Sequence, residues 1–202
     1  MTTHAISPRV LCVIGSIARK STTHAVTAAI ATRLRALALE VDIFDPSFEP
    51  LPLFNPESSH DQPEFRGLKA RVDLADVFVL CTPDYHGSMS STTKNFLDHF
   101  WHEFAGRLFV PVVVSHEKGL TVIDQLRTVA RQCYAWSLPY GISVAATNEV
   151  NDGDVIAPAL VQRLEMLTAD IQVYGTLLAN QRLADLAGVR PGFLARRRSA
   201  AP

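Results

Sequence analysis

Cysteine is scarce in this chain: Cys12, Cys81 and Cys133 are the three it has, and none sits in a CxxC pair. That excludes a disulfide framework and a zinc site of the usual spacing, and the three read as buried thiols in a reducing cytosol. An excess of charge of one sign is also missing. Lys and Arg number 19 against 20 Asp and Glu, a net charge of −1, so no electrostatic footprint points to nucleic acid or to an anionic membrane. No apolar run approaches the ~20 residues that span a bilayer. Residues Met1 to Arg9 lack the apolar stretch of a secretory signal. The expectation is a cytoplasmic protein with neither a nucleic-acid nor a membrane partner.

At 202 residues and 48% hydrophobic, the chain can fill one core and is short for two. One domain over 1–202 is expected, with the core at about 9–182 and a tail at 183–202. Val10 to Ile14 is continuously apolar and ends at Gly15, the pattern of a strand covered on both faces. From Ser21 to Leu39, Val26, Ile30, Leu34 and Leu37 recur at helical spacing, with Ser21 or Thr22 as N-cap. A second strand is read at Val41–Asp45, and a proline-rich loop at Pro46–Pro63 that is longer than most connections. A helix at Glu64–Leu74 and a strand at Val77–Thr82 follow. Next come a helix at Ser90–Phe104, a strand at Leu108–Ser115, a helix ending near Cys133 and a strand at Gly141–Ala145. A last helix at Ile156–Asn180 follows the turn formers Asn151, Asp152 and Gly153. Beyond Leu183 the pattern fades into a basic tail with Arg190, Pro191, Gly192 and the run Arg196 to Arg198. Strands alternating with helices predict an α/β three-layer sandwich of the flavodoxin-like kind, a five-stranded parallel sheet in the order 2-1-3-4-5. Ligands of such sheets bind beyond the carboxyl ends of the strands, where the order reverses.

The loop after the first strand, Gly15-Ser16-Ile17-Ala18-Arg19-Lys20-Ser21-Thr22-Thr23, crowds hydroxyls and two cations just before a helix. Unpaired N–H groups at a helix start attract anions. A phosphate monoester would be held by Ser16, Ser21, Thr22 and Thr23, with Arg19 adding charge. Single residues here would read as helix caps and surface charge; it is their clustering at the ligand end of the sheet that favours an anion site. A Walker loop is excluded because Lys20 stands where its second glycine belongs. The dinucleotide pattern GxGxxG fails because Gly15 is the loop's one glycine.

After the third strand the chain reads Thr82-Pro83-Asp84-Tyr85-His86-Gly87-Ser88, then Lys94-Asn95-Phe96-Leu97-Asp98. This resembles the TPEYNGS…LKNALD stretch of the NAD(P)H-dependent FMN reductase family, whose members include azoreductases, quinone reductases and chromate-reducing relatives. Gly15, Ser16, Arg19 and Ser21 are similar to the family's first loop, and Leu51-Pro52-Leu53-Phe54-Asn55-Pro56 to its proline-rich loop. The resemblance covers residues 9 to 135. It implies FMN as cofactor, with its phosphate at Ser16, Arg19, Ser21 and Thr23 and its ring against Pro83, Asp84, Tyr85, His86 and Gly87. A flavin ring needs a flat, partly apolar cradle with amide donors, and a Pro-x-Tyr-x-Gly turn offers both. Departures are Asp84 for a usual glutamate, His86 for a usual asparagine, and Thr23 where asparagine is common. The arginine comes one place late at Arg19. The loop from Ser115 to Gly119 stands where many relatives have a glycine-rich turn, and Ser115 is its flavin-facing candidate.

The implied activity is hydride transfer from NADPH or NADH to FMN and on to a small-molecule acceptor such as a quinone, azo compound or free flavin. No catalytic side chain is required, and Tyr85 and His86 are the substrate-facing candidates. The alternative is a flavodoxin-type electron carrier; such carriers tend to be strongly acidic, unlike this chain. Relatives are commonly dimers or tetramers, which makes a homodimer or homotetramer the expectation, with Phe96, Phe100, Trp101 and Phe104 weighed as either core or subunit contact. Asp98, His99, His102 and Glu103 invite a metal reading, but HExxH is absent because Gly106 replaces its second histidine, and a polar stripe is the better reading. No GxSxG elbow occurs. Cys81, in an apolar strand, reads as inert.

Overall fold

The computed structural model describes residues 6–116, 119–189 and 192–194. Its parallel sheet is built on β1 (Arg9–Ile14), β2 (Glu40–Phe44), β3 (Val77–Tyr85) and β5 (Leu108–Ser115). β4 (Ser88–Met89) is a short antiparallel addition to β3. The strand order is β2-β1-β3-β5-β6, with β6 (Trp136–Ser137) and β7 (Ile142–Ala145) side by side along β5. This is the expected 2-1-3-4-5 arrangement with its fifth position divided. Leu108 and Phe109 pair with Trp136 and Ser137, whereas Val112 to Ser115 pair with Ile142 to Ala145. Between them lies Pro139, which has no N–H to give to a ladder.

Alternation along the strands divides the core in two, because successive side chains point to opposite faces. Val10, Cys12, Val79 and Val110 face α1 (Thr22–Ala36) and α6 (Pro158–Ala187). Leu11, Val13, Leu80 and Phe109 face α2 (Pro63–Leu74), α3 (Ser91–Asp98) and α4 (Leu120–Gln132). A short helix, α5 (Ala146–Glu149), and a hairpin of β8 (Val150–Asn151) and β9 (Asp154–Val155) lie between β7 and α6. Neither was expected from the sequence; each is too short for periodicity to register.

Three expectations change. The helix read from Ser90 to Phe104 stops at Asp98, and His102–Phe104 is a separate 3-10 turn. Trp101 leaves helical geometry at φ −138°, which lets Phe104 drop against Phe78 and Phe109 with ring centroids 5.0 Å from each. Phe96, Phe100 and Phe104 are therefore buried in this chain's own core, and of the four aromatics weighed as a subunit contact only Trp101, 50% exposed, is at the surface. The last helix, expected at Ile156–Asn180, runs over Pro158–Ala187 and so takes in the start of the stretch read as a tail. Phe193, from the stretch read as a frayed tail, packs on Tyr134 with centroids 5.2 Å apart. Arg190, Pro191 and the Arg196–Arg198 run lie outside the described residues.

At the amino ends of the strands, Arg107 is 1% exposed and faces Asp76. The same carboxylate pairs with Arg182 of α6 and accepts from the Arg9 N–H at 3.1 Å. This ionic knot ties β1, β3, β5 and α6 together at the end of the sheet opposite the candidate site.

Candidate functional site at the carboxyl ends of the strands

Gly15 turns the chain off β1. Its N–H donates to the Cys81 carbonyl at 2.7 Å, so the loop lies against β3. A Cβ on Gly15 would stand 2.1 Å from Thr93 Oγ1 and 2.9 Å from the Cys81 carbonyl oxygen; only glycine fits. Ser90 Oγ donates to the Gly15 carbonyl at 2.6 Å and accepts the Thr93 N–H as N-cap of α3. First loop, third strand and third helix thus share one buried set of hydroxyls, completed by Thr82 Oγ1, which accepts from the Ser90 N–H.

Ser16 Oγ accepts from the Ala18 N–H at 3.2 Å. Ser21 is the N-cap of α1, accepting from the His24 N–H. Among the described residues, the N–H groups of Thr22 and Thr23 have no partner within the chain, as expected in a first helical turn. They give this loop two amide donors beside its hydroxyls.

The third-strand loop is a tight hairpin. Tyr85 pairs with Ser88, and the two residues between them, His86 and Gly87, have φ of +58° and +76°. Positive φ at both central positions is what a two-residue primed turn requires. Asp84 carries the turn: one carboxylate oxygen accepts the Gly87 N–H at 2.8 Å and the other accepts from Ser115 Oγ at 3.3 Å. Gln125 of α4 braces it from outside, accepting from Ser88 Oγ and the Met89 N–H and donating to the Gly87 carbonyl. The proline-rich loop is held in turn by Asn95, which accepts from the Phe54 N–H and donates to the carbonyls of Leu51 and Pro52.

Ser16, Ser21, Thr22 and Thr23 share one cleft with Pro83, Asp84, Tyr85, Ser115 and His116, floored by Val114 and Ala146. Its volume of about 190 Å³ falls below the ~300–1,000 Å³ of enclosed ligand pockets, so a mononucleotide would lie along this groove rather than inside it. Three of the residues singled out from the sequence do not line it. Arg19 has its guanidinium 4.5 Å from the centroid of the Phe48 ring and donates to the Ser47 carbonyl. His86 and Gly87 form the exposed tip of the hairpin. In the loop from Ser115 to Gly119, residues 117 and 118 lie outside the described residues. Gln125, Asn95, Ser90, His24 and Asp45 escaped the sequence reading. Asn95 had a signal, since it lies in the segment similar to the family's, but the others act through contacts distant in sequence.

Asp98, His99 and Glu103, three of the four residues read as a polar stripe in preference to a metal site, have partners within the chain. His99 Nδ1 lies 2.8 Å from the Asn95 carbonyl oxygen, its ring against Phe54 and Phe65. Lys94 pairs with Asp98, and Lys69 with Glu103. The three thiols are buried, and burial pushes Cys12 and Cys81 up to about 12 and Cys133 to about 11.

Sheet order, a groove at the point where that order reverses, and a hydroxyl-rich loop opening a helix define a flavodoxin-like protein with the donors for a phosphate-bearing flavin. Residues 8–149 match the model of the NADPH-dependent FMN reductase family, and the chain belongs to that family. It is similar to an NADPH azoreductase of Bacillus sp. (strain OY1-2), 31% identical over 144 residues that cover 67% of this chain and 79% of the relative. An FMN-dependent NADPH-azoreductase of Staphylococcus aureus is 33% identical over 142 residues, covering 66% of this chain and 74% of its own. Among solved structures, the flavoenzyme NAD(P)H:(acceptor) oxidoreductase FerB of Paracoccus denitrificans has the same fold, with a TM-score of 0.68 at 19% identity, covering 83% of this chain and 97% of that one. The chain is accordingly an NAD(P)H-dependent FMN oxidoreductase, which carries hydride from nicotinamide to FMN and on to an acceptor. The expectations of fold, cofactor and reaction stand, and the electron-carrier alternative gives way. No helix among the described residues is long and apolar enough to cross a membrane.

Proposed function

We propose that the groove between the first loop and the Pro83–Gly87 hairpin holds FMN, phosphate toward Ser16, Ser21, Thr22 and Thr23, and ring toward Pro83, Asp84 and Tyr85. The observation that carries this reading is that four hydroxyl-bearing residues and the hairpin, some 60 positions apart in sequence, line one cleft. When bound, FMN would supply the redox chemistry, by which the nicotinamide's hydride, two electrons and a proton, is passed on to the acceptor. The chain's own part is binding and orientation. Hydroxyls and first-turn amides neutralise phosphate by donation. Asp84, tied by Gly87 and Ser115, and Gln125 fix the hairpin so that it presents one surface to the ring. Tyr85, 57% exposed, offers an aromatic edge to a planar acceptor, with His86 at the tip beside it.

The acceptor class is that of flat, conjugated two-electron oxidants, quinones and azo compounds, in keeping with the azoreductase names of two relatives. A single-domain chain acting as a homodimer or homotetramer fits a groove this shallow, since a second subunit would cover the ring. Purified protein titrated with FMN should shift the flavin absorbance; freed of excess FMN and kept anaerobic, it should oxidise NADPH or NADH beyond one equivalent per flavin only with a quinone or azo dye present. Flavin binding without turnover on either nucleotide would refute the acceptor assignment. Light scattering that finds an active monomer would remove the assembly.

A further inference from the structure

His24 and Asp45 form a chain that ends on the candidate phosphate site. His24 Nε2 lies 3.0 Å from Asp45 Oδ2, and His24 Nδ1 lies 2.8 Å from Ser21 Oγ. Asp45 Oδ1 already accepts the Ser47 N–H at 2.9 Å. Both residues have side chains only 15% exposed.

A carboxylate only accepts, so Nε2 facing Asp45 carries a proton. In neutral His24, Nδ1 is then a bare lone pair, and the single Ser21 hydroxyl proton must point to it. Ser21 in that state cannot donate to a phosphate. When His24 carries both protons, Nδ1–H donates to Ser21 Oγ, and the hydroxyl proton is released toward the cleft. The charge matters as well: among the described residues lining the cleft there is no Lys or Arg, because Arg19 lies on Phe48.

We infer that His24 is a positioning residue which couples FMN phosphate binding to uptake of one proton, aiming the Ser21 hydroxyl at the phosphate when it is doubly protonated. This rests on the phosphate placement proposed above. The groove beside His24 is also lined by Arg19 and Lys20 from the preceding loop and by Asp152 from the hairpin packed on α1. Asp45, at 3.0 Å, is the charge in direct contact with the ring and sets the tautomer.

Asp45→Asn separates the tautomer from the charge. Its Oδ1 can keep the Ser47 N–H, while Nδ2–H donates to His24 Nε2. Neutral His24 then carries its proton on Nδ1 and frees Ser21 at every pH. The test is the Kd of FMN and of riboflavin, by flavin fluorescence, from pH 5.5 to 8.5. Wild-type FMN binding should weaken by about tenfold across that range, the limit for one proton per pH unit being tenfold. Asp45→Asn and His24→Gln should lose this weakening relative to the wild type, keeping only the slope that the phosphate itself imposes, and riboflavin should show none. The phosphate's own second ionisation is common to all three proteins and cancels in the comparison. Proton uptake on FMN binding, read by calorimetry in two buffers, should be present in the wild type and lost in both variants. An FMN profile with the same slope in all three overturns the coupling and leaves the phosphate site standing. FMN binding no tighter than riboflavin at any pH overturns the site itself, and the coupling with it.

Discussion

Cys81 ends up between Gly15 and Thr23, close to where the flavin phosphate is proposed, yet its thiol is made inert by the same burial that places it there. With Cys12 and Cys81 pushed up to about 12, roughly one thiol in 10⁴ is ionised at pH 8. Folded protein treated with iodoacetamide at pH 8 should carry no label on these two by mass spectrometry, and unfolding in urea should expose all three cysteines; rapid native labelling of Cys81 would contradict its burial. At Gly15 the limit is steric. Gly15→Ala drives a methyl group into Thr93 Oγ1 and the Cys81 carbonyl, an overpacking that costs ~1–3 kcal/mol. Because the displaced backbone leads straight into Ser16, the FMN Kd should rise along with the loss of stability in urea. A variant of unchanged Kd would separate the loop from the cofactor.

Among the elements, α3 reaches the site through its cap. Ser90→Ala removes the acceptor for the Thr93 N–H and the donor to the Gly15 carbonyl, so thermal or urea unfolding should show a loss of ~1–3 kcal/mol. The hairpin between β3 and β4 depends on α4 in the same way. Gln125→Ala deletes its contacts with Gly87, Ser88 and Met89 on a solvent-facing surface. Stability should change little, while KM for the acceptor and FMN affinity worsen several-fold; steady-state kinetics at saturating FMN distinguish the two. α3 is also where helical spacing misled, because Phe96, Phe100 and Phe104 satisfy an i, i+4, i+8 stripe whether or not the helix is continuous.

Across the whole molecule, the two ends of the sheet do different work. The carboxyl ends carry loops with spare donors, and the amino ends are locked by Asp76 between Arg107, Arg182 and the Arg9 amide. Asp76→Ala strands a buried guanidinium, and breaking a buried pair this way costs ~3–5 kcal/mol. Urea unfolding should show that loss, while flavin affinity of the fraction that stays folded is unchanged. Assembly belongs to this scale as well, and Trp101 on the outer surface is the aromatic to follow by fluorescence across a dilution series.

The alternation of strands and helices, the parallel order and the crowding of hydroxyls at the start of α1 were legible in the chain itself. Each depends on residues close in sequence: apolar runs closed by Gly15, hydroxyls beside a helix start, turn formers after Thr82. The family, too, shows in contiguous motifs from Gly15 to Asp98. Folding in three dimensions decided what adjacency cannot. Arg19 was free, on sequence grounds, to face a phosphate, but Phe48 from another loop offers its cation a ring face. His24 looked like one more helical residue until Asp45, 21 positions away, met its Nε2 at 3.0 Å. Gln125 became part of the site only when α4 packed beside the hairpin. A hydrogen bond between distant segments leaves no periodicity to read, because either partner alone is compatible with many surroundings.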